Sequence, residues 1–268
     1  MSKMTLVVSL RVPDGVVLAA DSLQTTQVAI QPAVKDFKVK HPKTGEEIPF
    51  GDLRLPPILM PTSTSSYAQK LFSFKERYGV ATFGSAIING RTIYNHIKNL
   101  EIHIQEDIQS VSKAGEVLMN YFTDQLNEQV KASGQNLMEG QIVMGFQVVG
   151  YEASNDLFGH TVDVAIGKTP VSKMINGIGC TVSGDTEVVR KIWEIGHGTN
   201  RMPNYGSFSL KDAVDYVEFL IDTTASFQRF ANMIPTVGGA VDIALITNYS
   251  KFTWIKYKDL TQILEKIT

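Results

Sequence analysis

Thr5-Leu-Val-Val-Ser-Leu-Arg-Val-Pro-Asp-Gly-Val-Val-Leu-Ala-Ala-Asp-Ser22 decides how this chain is read. Two short apolar runs meet at Pro13-Asp14-Gly15. Proline presets one turn angle and glycine readily takes a positive φ, so the stretch predicts a hairpin. The second run, Val16 to Ala20, is apolar throughout and predicts a strand buried on both faces. It stops at Asp21-Ser22. A carboxylate at the end of a buried strand is costly unless it is paired. The sequence therefore predicts a buried hairpin with a threonine at one end and a carboxylate that needs a partner at the other.

Composition sets the frame around this hairpin. The 268 residues are 43% hydrophobic and 19% charged, which suits a globular chain with a sizeable core. The net charge is −2, without a basic block, so neither nucleic acid nor an anionic membrane surface is expected as a partner. The single cysteine, Cys180, permits no internal disulfide; it reads as a small core residue, and a cytoplasmic setting is expected. No apolar run reaches the length that spans a bilayer. Met1 to Met4 is too short for a signal peptide.

Beyond the hairpin, residues 23–69 differ from their surroundings. Six of the ten prolines fall between Pro32 and Pro61. The segment predicts an irregular insertion within a single domain, with a small hairpin between Phe37 and Phe50 turning at Thr44-Gly45, and Thr62 to Ser66 as loop. Lys70 to Phe74 and Tyr78 to Gly84 predict strands. Ser85-Ala86 is expected to open a helix through Leu100, and Ser112 to Val130 predicts a second. Gln141–Tyr151, Leu157–Ile166 and Asn176–Val182 predict strands. Ser183-Gly184-Asp185 resembles a helix cap before a third helix to Ile195, and Ser209 caps a fourth to about Phe230. Val237 to Ile246 and Phe252 to Tyr257 predict strands, and Thr261 to Ile267 a short last helix. Runs of strands alternating with runs of helices predict an α+β fold, with two sheets between two helical layers.

Familiar catalytic signatures are absent: no Gly-x-Ser-x-Gly elbow, no P-loop and no His-Glu-x-x-His. The five histidines are scattered without metal-ligand spacing. No metal and no cofactor is expected, which leaves threonine, lysine and aspartate chemistry.

In that light the opening stretch resembles the start of a proteasome β-type subunit: a threonine, an apolar strand, a turn ending in glycine, an apolar strand and Asp-Ser. Gly15-Val-Val-Leu-Ala-Ala-Asp-Ser22 carries the likeness most closely. It continues through Lys70-Leu-Phe-Ser-Phe, Gly79-Val-Ala-Thr-Phe-Gly84 and Gly238-Gly-Ala-Val-Asp-Ile-Ala-Leu-Ile-Thr247, and covers most of the chain outside residues 23–69. The resemblance implies a four-layer αββα sandwich of the N-terminal nucleophile hydrolase kind. It also implies a threonine-type endopeptidase, assembled into a homo-oligomeric ring, that degrades peptides or unfolded protein. An unfolding ATPase is left open as a further partner.

The resemblance implies roles residue by residue. Thr5 falls at the nucleophile position, its own amine acting as base once free. A free α-amine titrates near 7.7–8.0, which suits that task. Lys70 falls at the catalytic lysine, with Lys35 as a rival because Lys35-Asp-Phe-Lys-Val39 also looks like that strand start. Asp21 would pair with the lysine. The Gly84 N–H would serve an oxyanion hole. Thr25 matches a position that binds the substrate backbone. Ser183 matches a serine near the nucleophile, and reads equally as a helix cap.

Two positions depart from the family pattern. Where many active β-type subunits carry an aspartate and a serine before the late Gly-Gly, this chain has Ile234 and Val237. Simpler bacterial relatives work with the threonine–lysine pair. Met4, not glycine, precedes Thr5, so initiation at Met4 followed by methionine aminopeptidase would expose Thr5. A non-catalytic structural subunit of the same fold and a hydrolase of small amides remain as alternative readings.

Overall fold

The opening hairpin forms from two seven-residue strands, β1 (Leu6–Val12) and β2 (Gly15–Asp21), every residue of which is buried. Val12 pairs with Gly15, so the loop is only Pro13-Asp14. Gly15 does not take a positive φ. It is needed instead for room: a Cβ there would stand 3.0 Å from the Ile246 carbonyl oxygen and 3.2 Å from Leu210 Cδ2. This computed structural model describes residues 5–30, 39–48, 58–134, 136–152 and 156–258.

The chain divides into two compact units, residues 1–24 with 65–268, and residues 25–64. In the smaller unit, β3 (Gln24–Ile30) pairs with β6 (Ile58–Ser65). The short strands β4 (Val39–Lys40) and β5 (Glu47–Ile48) form a hairpin that turns through Gly45 at φ 72°. The segment is thus less irregular than its prolines imply, and β6 runs through most of the Thr62–Ser66 stretch expected as loop. Threonine alternates with serine there, and β-branched residues suit a strand. Lys35 and the expected last helix lie outside the described residues.

In the larger unit, β7 (Leu71–Phe74) and β8 (Tyr78–Gly84) form where expected. The helix expected from Ser85 begins eight residues later. A tight hairpin intervenes, β9 (Ile87–Ile88) against β10 (Arg91–Thr92). Its two central residues, Asn89 and Gly90, sit at φ 47° and 74°. Asn-Gly is the favoured pair for such a turn, and it overrode the helical spacing of the isoleucines.

Helix α1 (Ile93–His103) starts at Thr92, whose hydroxyl accepts the Asn95 N–H. Helix α2 (Val111–Ser133) is capped by Ser110 and ends on left-handed Gly134. Strands β11 (Ile142–Gly150), β12 (His160–Gly167) and β13 (Val171–Ile175) follow. The strand expected over 176–182 forms as β14 (Gly179–Gly184), starting three residues late, while β13, not expected from the sequence, belongs to the other sheet. Gly177, at φ 78°, lies in the crossing.

Helix α3 (Glu187–Gly198) has Thr186 at its cap position, without a side-chain cap bond. Ser183 and Gly184 are the last residues of β14, so Ser183 is no helix cap. Helix α4 (Leu210–Phe230) opens on a full capping box between Ser209 and Asp212. Strand β15 (Val241–Thr247) begins four residues after the expected Val237, and β16 (Lys251–Lys256) pairs with it.

One sheet runs β14-β1-β2-β15-β16 and the other β13-β12-β11-β8-β7, with every neighbouring pair antiparallel. The apolar core forms in three layers. Phe72, Phe74, Phe146, Val148 and Val162 meet α1 and α2 through Ile97, Leu118 and Phe122. Leu6, Val8, Leu10 and Val17 meet α3 and α4 through Val189, Val217, Leu220 and Ile221. Between the sheets lie Val7, Val16, Leu18, Leu71, Ala81 and Val149. Within this unit the order is therefore helices, sheet, sheet, helices, the mixed α+β arrangement expected. Among the described residues no helix is long and apolar enough to cross a membrane.

Candidate active site

The end of β2 gathers two buried ion pairs. Asp21 is fully buried, and its two oxygens collect a dense set of donors. Oδ1 accepts the Leu6 N–H at 3.0 Å. Oδ2 accepts the Leu23 N–H at 3.1 Å and the Gly238 N–H at 3.0 Å. Lys70, just before β7, brings its Nζ to 3.1 Å from both oxygens and also donates to the Leu23 carbonyl. The lysine is itself buried. Burial pushes its pKa below the usual lysine range, with the Asp21 carboxylate opposing. Of the two lysines weighed from sequence, Lys70 carries this ion pair.

A second buried pair lies beside the first. Lys258, just past β16, donates to Asp242 on β15 and, at 3.1 Å, to Ser22 Oγ. Asp242 pairs in register with Ala20, next to Asp21. Two opposite pairs leave this end of the sheet neutral overall, which is how buried charge is tolerated.

Thr5 is the residue before β1, and only 3% of it is exposed. Its peptide groups are held on both sides. The Thr5 N–H donates to the Thr236 carbonyl at 3.0 Å, and the Thr5 carbonyl accepts the Asp185 N–H at 2.7 Å. Its φ is 81°, a region that β-branched residues avoid at a cost of about 1–3 kcal/mol. Gly184 makes the close approach: a Cβ there would stand 2.1 Å from the Thr5 carbonyl oxygen. Thr5 is thus tied to the Lys70–Asp21 pair through its neighbour, since Leu6 N–H and Lys70 Nζ share Asp21 Oδ1.

Gly84 ends β8 at φ 87°, and a Cβ on it would stand 2.6 Å from the Val143 carbonyl oxygen. It faces Met144 in the ladder, and the next residue, Ser85, donates to Val143 O at 3.1 Å. That pattern makes Gly84–Met144 a pair without mutual hydrogen bonds, so the Gly84 N–H is not spent on β11. On the β7 side the ladder pairs stop at Leu71–Ala81.

Ser183 sits on β14, paired with Val7. Its hydroxyl donates to Asp163 Oδ1 at 3.0 Å and accepts from Gln147 Nε2 at 2.8 Å. Burial raises the Asp163 pKa, with the Ser183 hydrogen bond opposing. A cleft of about 750 Å³ opens here, lined by Gly84, Ser85, Asp163, Ser183, Thr186 and Arg190 among others. The structure thus brings Asp21 and Lys70 together, puts Thr5 on the same carboxylate through Leu6, and puts Gly84 and Ser183 on one cleft. Thr25 lies on β3, in the smaller unit.

Sequence reading missed Asp185, Gln228 and Thr236. Asp185 and Gln228 are joined side chain to side chain at 2.9 Å, and Asp185 and Thr236 at 2.5 Å. No local pattern marks residues that meet from 43 and 51 positions apart. Neither Cys180 nor His96 suits the role of nucleophile. Desolvation pushes the Cys180 thiol up to about 12, Arg11 opposing, so it is protonated at neutral pH. His96 is spent on Tyr121 Oη and the Ile88 carbonyl. Among the described residues, no three histidine, cysteine or acidic side chains are grouped to hold a metal ion.

No protein-family model matches this chain, and no curated protein sequence matches it either.

Proposed function

We propose that this protein is a threonine-type amide-bond hydrolase of the N-terminal nucleophile kind, acting on peptide bonds as a proteasome-like β-type subunit. The observation that carries the reading is the Asp21 carboxylate. A fully buried strand-end aspartate is bound by a buried lysine, and the same oxygen accepts the N–H of the residue that follows Thr5. A structural ion pair gains little from burial. A lysine with lowered pKa beside a hydroxyl nucleophile is a recurrent catalytic device. The helix–sheet–sheet–helix order and a Gly84 N–H that is not spent on β11 support the same reading.

In this mechanism the Thr5 hydroxyl attacks the scissile carbonyl. Its proton passes to the α-amine of Thr5, and Lys70 stabilises the developing alkoxide. The Gly84 N–H donates to the oxyanion, and collapse expels the amine half of the substrate, whose nitrogen takes the proton back from the Thr5 ammonium. Water then hydrolyses the ester on Thr5. The amine exists only when Met4 has been removed, because a peptide nitrogen is no base. Removal also abolishes φ at residue 5, and with it the strain at 81°.

The test compares three chains on fluorogenic peptides. One begins at Thr5, one carries Thr5→Ala, and one retains residues 1–4. Turnover by the first alone is expected. Equal turnover by the Thr5→Ala chain would sink the proposal. No turnover by any of them would favour the non-catalytic reading, in which the strained, amide-bonded Thr5 is scaffold. Assembly into a homo-oligomeric ring belongs to the same proposal, and analytical ultracentrifugation checks it.

A further inference from the structure

Outside the mechanism above, one buried polar network meets Thr5 directly. Thr236 lies in the segment before β15, Asp185 in the turn between β14 and α3, and Gln228 in the last turn of α4. All three are buried, at 8%, 7% and 2% exposure. The Thr236 hydroxyl donates to Asp185 Oδ2 at 2.5 Å, and Gln228 Nε2 donates to the same oxygen at 2.9 Å. Gln228 Oε1 accepts the backbone N–H of Thr236 at 2.8 Å and of Val237 at 3.0 Å. Those two donors fix which end of the amide is oxygen. Both ends of the Gln228 amide are therefore engaged, and the side chain locks the backbone of residues 236 and 237.

The two groups that hold the main chain of Thr5 are the backbone partners of this network. The Thr236 carbonyl accepts the Thr5 N–H, and the Asp185 N–H donates to the Thr5 carbonyl. The hydroxyl–carboxylate bond between Thr236 and Asp185 clamps the two jaws together. A hydroxyl bound to a carboxylate is shorter and stronger than a neutral pair.

We propose that Thr236, Asp185 and Gln228 are positioning residues for the Thr5 nitrogen. Resting on the reading of Thr5 as an N-terminal nucleophile, this gives the network a definite task. With Met4 gone, one amine proton remains directed at the Thr236 carbonyl. The rotation of the amine is then restricted, and its lone pair is aimed. In a base that must take a proton from its own side chain, orientation governs rate. Misplacement by about 1 Å costs on the order of 10²-fold. The network reaches Thr5 only through backbone atoms, so it sets geometry and not substrate contact. It also offers an answer to Ile234 and Val237, which carry no acidic or hydroxyl group: the polar support comes from α4 and from the β14–α3 turn.

The test uses chains that begin at Thr5. Thr236→Val keeps the shape and removes the hydroxyl; Thr236→Ser restores it. Expected is a fall in kcat of about 10²-fold in Thr236→Val with KM unchanged, and recovery to within a few-fold in Thr236→Ser. Asp185→Asn, which preserves size, is expected to lower kcat in the same way, and serves if Thr236→Val does not fold. Parental kcat in Thr236→Val or Asp185→Asn would overturn the proposal. So would an equal loss in Thr236→Ser and Thr236→Val, or a loss confined to KM. If Thr5→Ala is inactive while Thr236→Val keeps parental kcat, the nucleophile reading stands and the network's role falls. If Thr5→Ala retains turnover, both fall.

Discussion

The chemistry of this molecule is concentrated in one carboxylate. Asp21 receives three backbone N–H groups and a lysine, and no other described residue gathers so many donors. Removing one member of a buried ion pair leaves the other charge uncompensated, at about 3–5 kcal/mol. Lys70→Met is therefore expected to lower unfolding free energy by about that amount in urea titration, besides abolishing turnover. A change under about 1 kcal/mol would mean that the pair is hydrated and contributes as a surface bridge does. The need for a cation at Asp21 was legible in the sequence, because the aspartate ends a wholly apolar strand. Which lysine answers it was not: Lys35 and Lys70 both begin strand-like stretches. The ion pair of Lys70 spans 49 residues, and nothing local encodes that distance.

At the level of elements, local chemistry set most boundaries, and its exceptions have local causes. The capping box at Ser209 starts α4 where the sequence places it, and Ser110 and Gly134 bracket α2. Ser209→Ala removes a hydroxyl that accepts the Asp212 N–H, and is expected to cost about 1 kcal/mol in thermal or chemical unfolding. Activity should be unchanged, since α4 meets the site at its other end. The false helix start at Ser85 and the late start of β14 share one reason. Asn89-Gly90 and Gly177 carry positive φ, which breaks a periodic pattern without altering its hydrophobicity. Ser183 looked like a cap because serine before Gly-Asp is a cap composition. Its hydroxyl is instead held across the sheets by Asp163 and Gln147.

For the whole molecule, the layer between the two sheets is apolar at one end and polar at the other. Arg11, Ser9, Thr161 and Thr181 are linked there by hydrogen bonds of 2.9–3.0 Å, and the Asp163–Ser183–Gln147 chain joins β12 and β14 to β11. Burial holds the Asp163 proton more tightly in the folded state than in the unfolded chain, where it leaves near 3.9. Folding stability from this group is thus present below about pH 4 and falls as pH rises through the raised folded value. Asp163→Asn is expected to raise the unfolding midpoint at pH 7, with the advantage vanishing by about pH 4. A pH-independent difference would assign the effect to packing.

The sequence by itself determined the α+β class, the opening hairpin, and three of the four helices to within a few residues. Hydrophobic period and capping chemistry act over a few residues and are written locally. It also supplied Thr5, Asp21, Lys70, Gly84 and Ser183 as candidates. Only the tertiary structure decided which of them share a carboxylate or a cleft, and only it brought Asp185, Gln228 and Thr236 to Thr5. A buried polar group must find its partner wherever the fold carries one, and that partner is fixed by layer packing and strand order, not by the residues beside it.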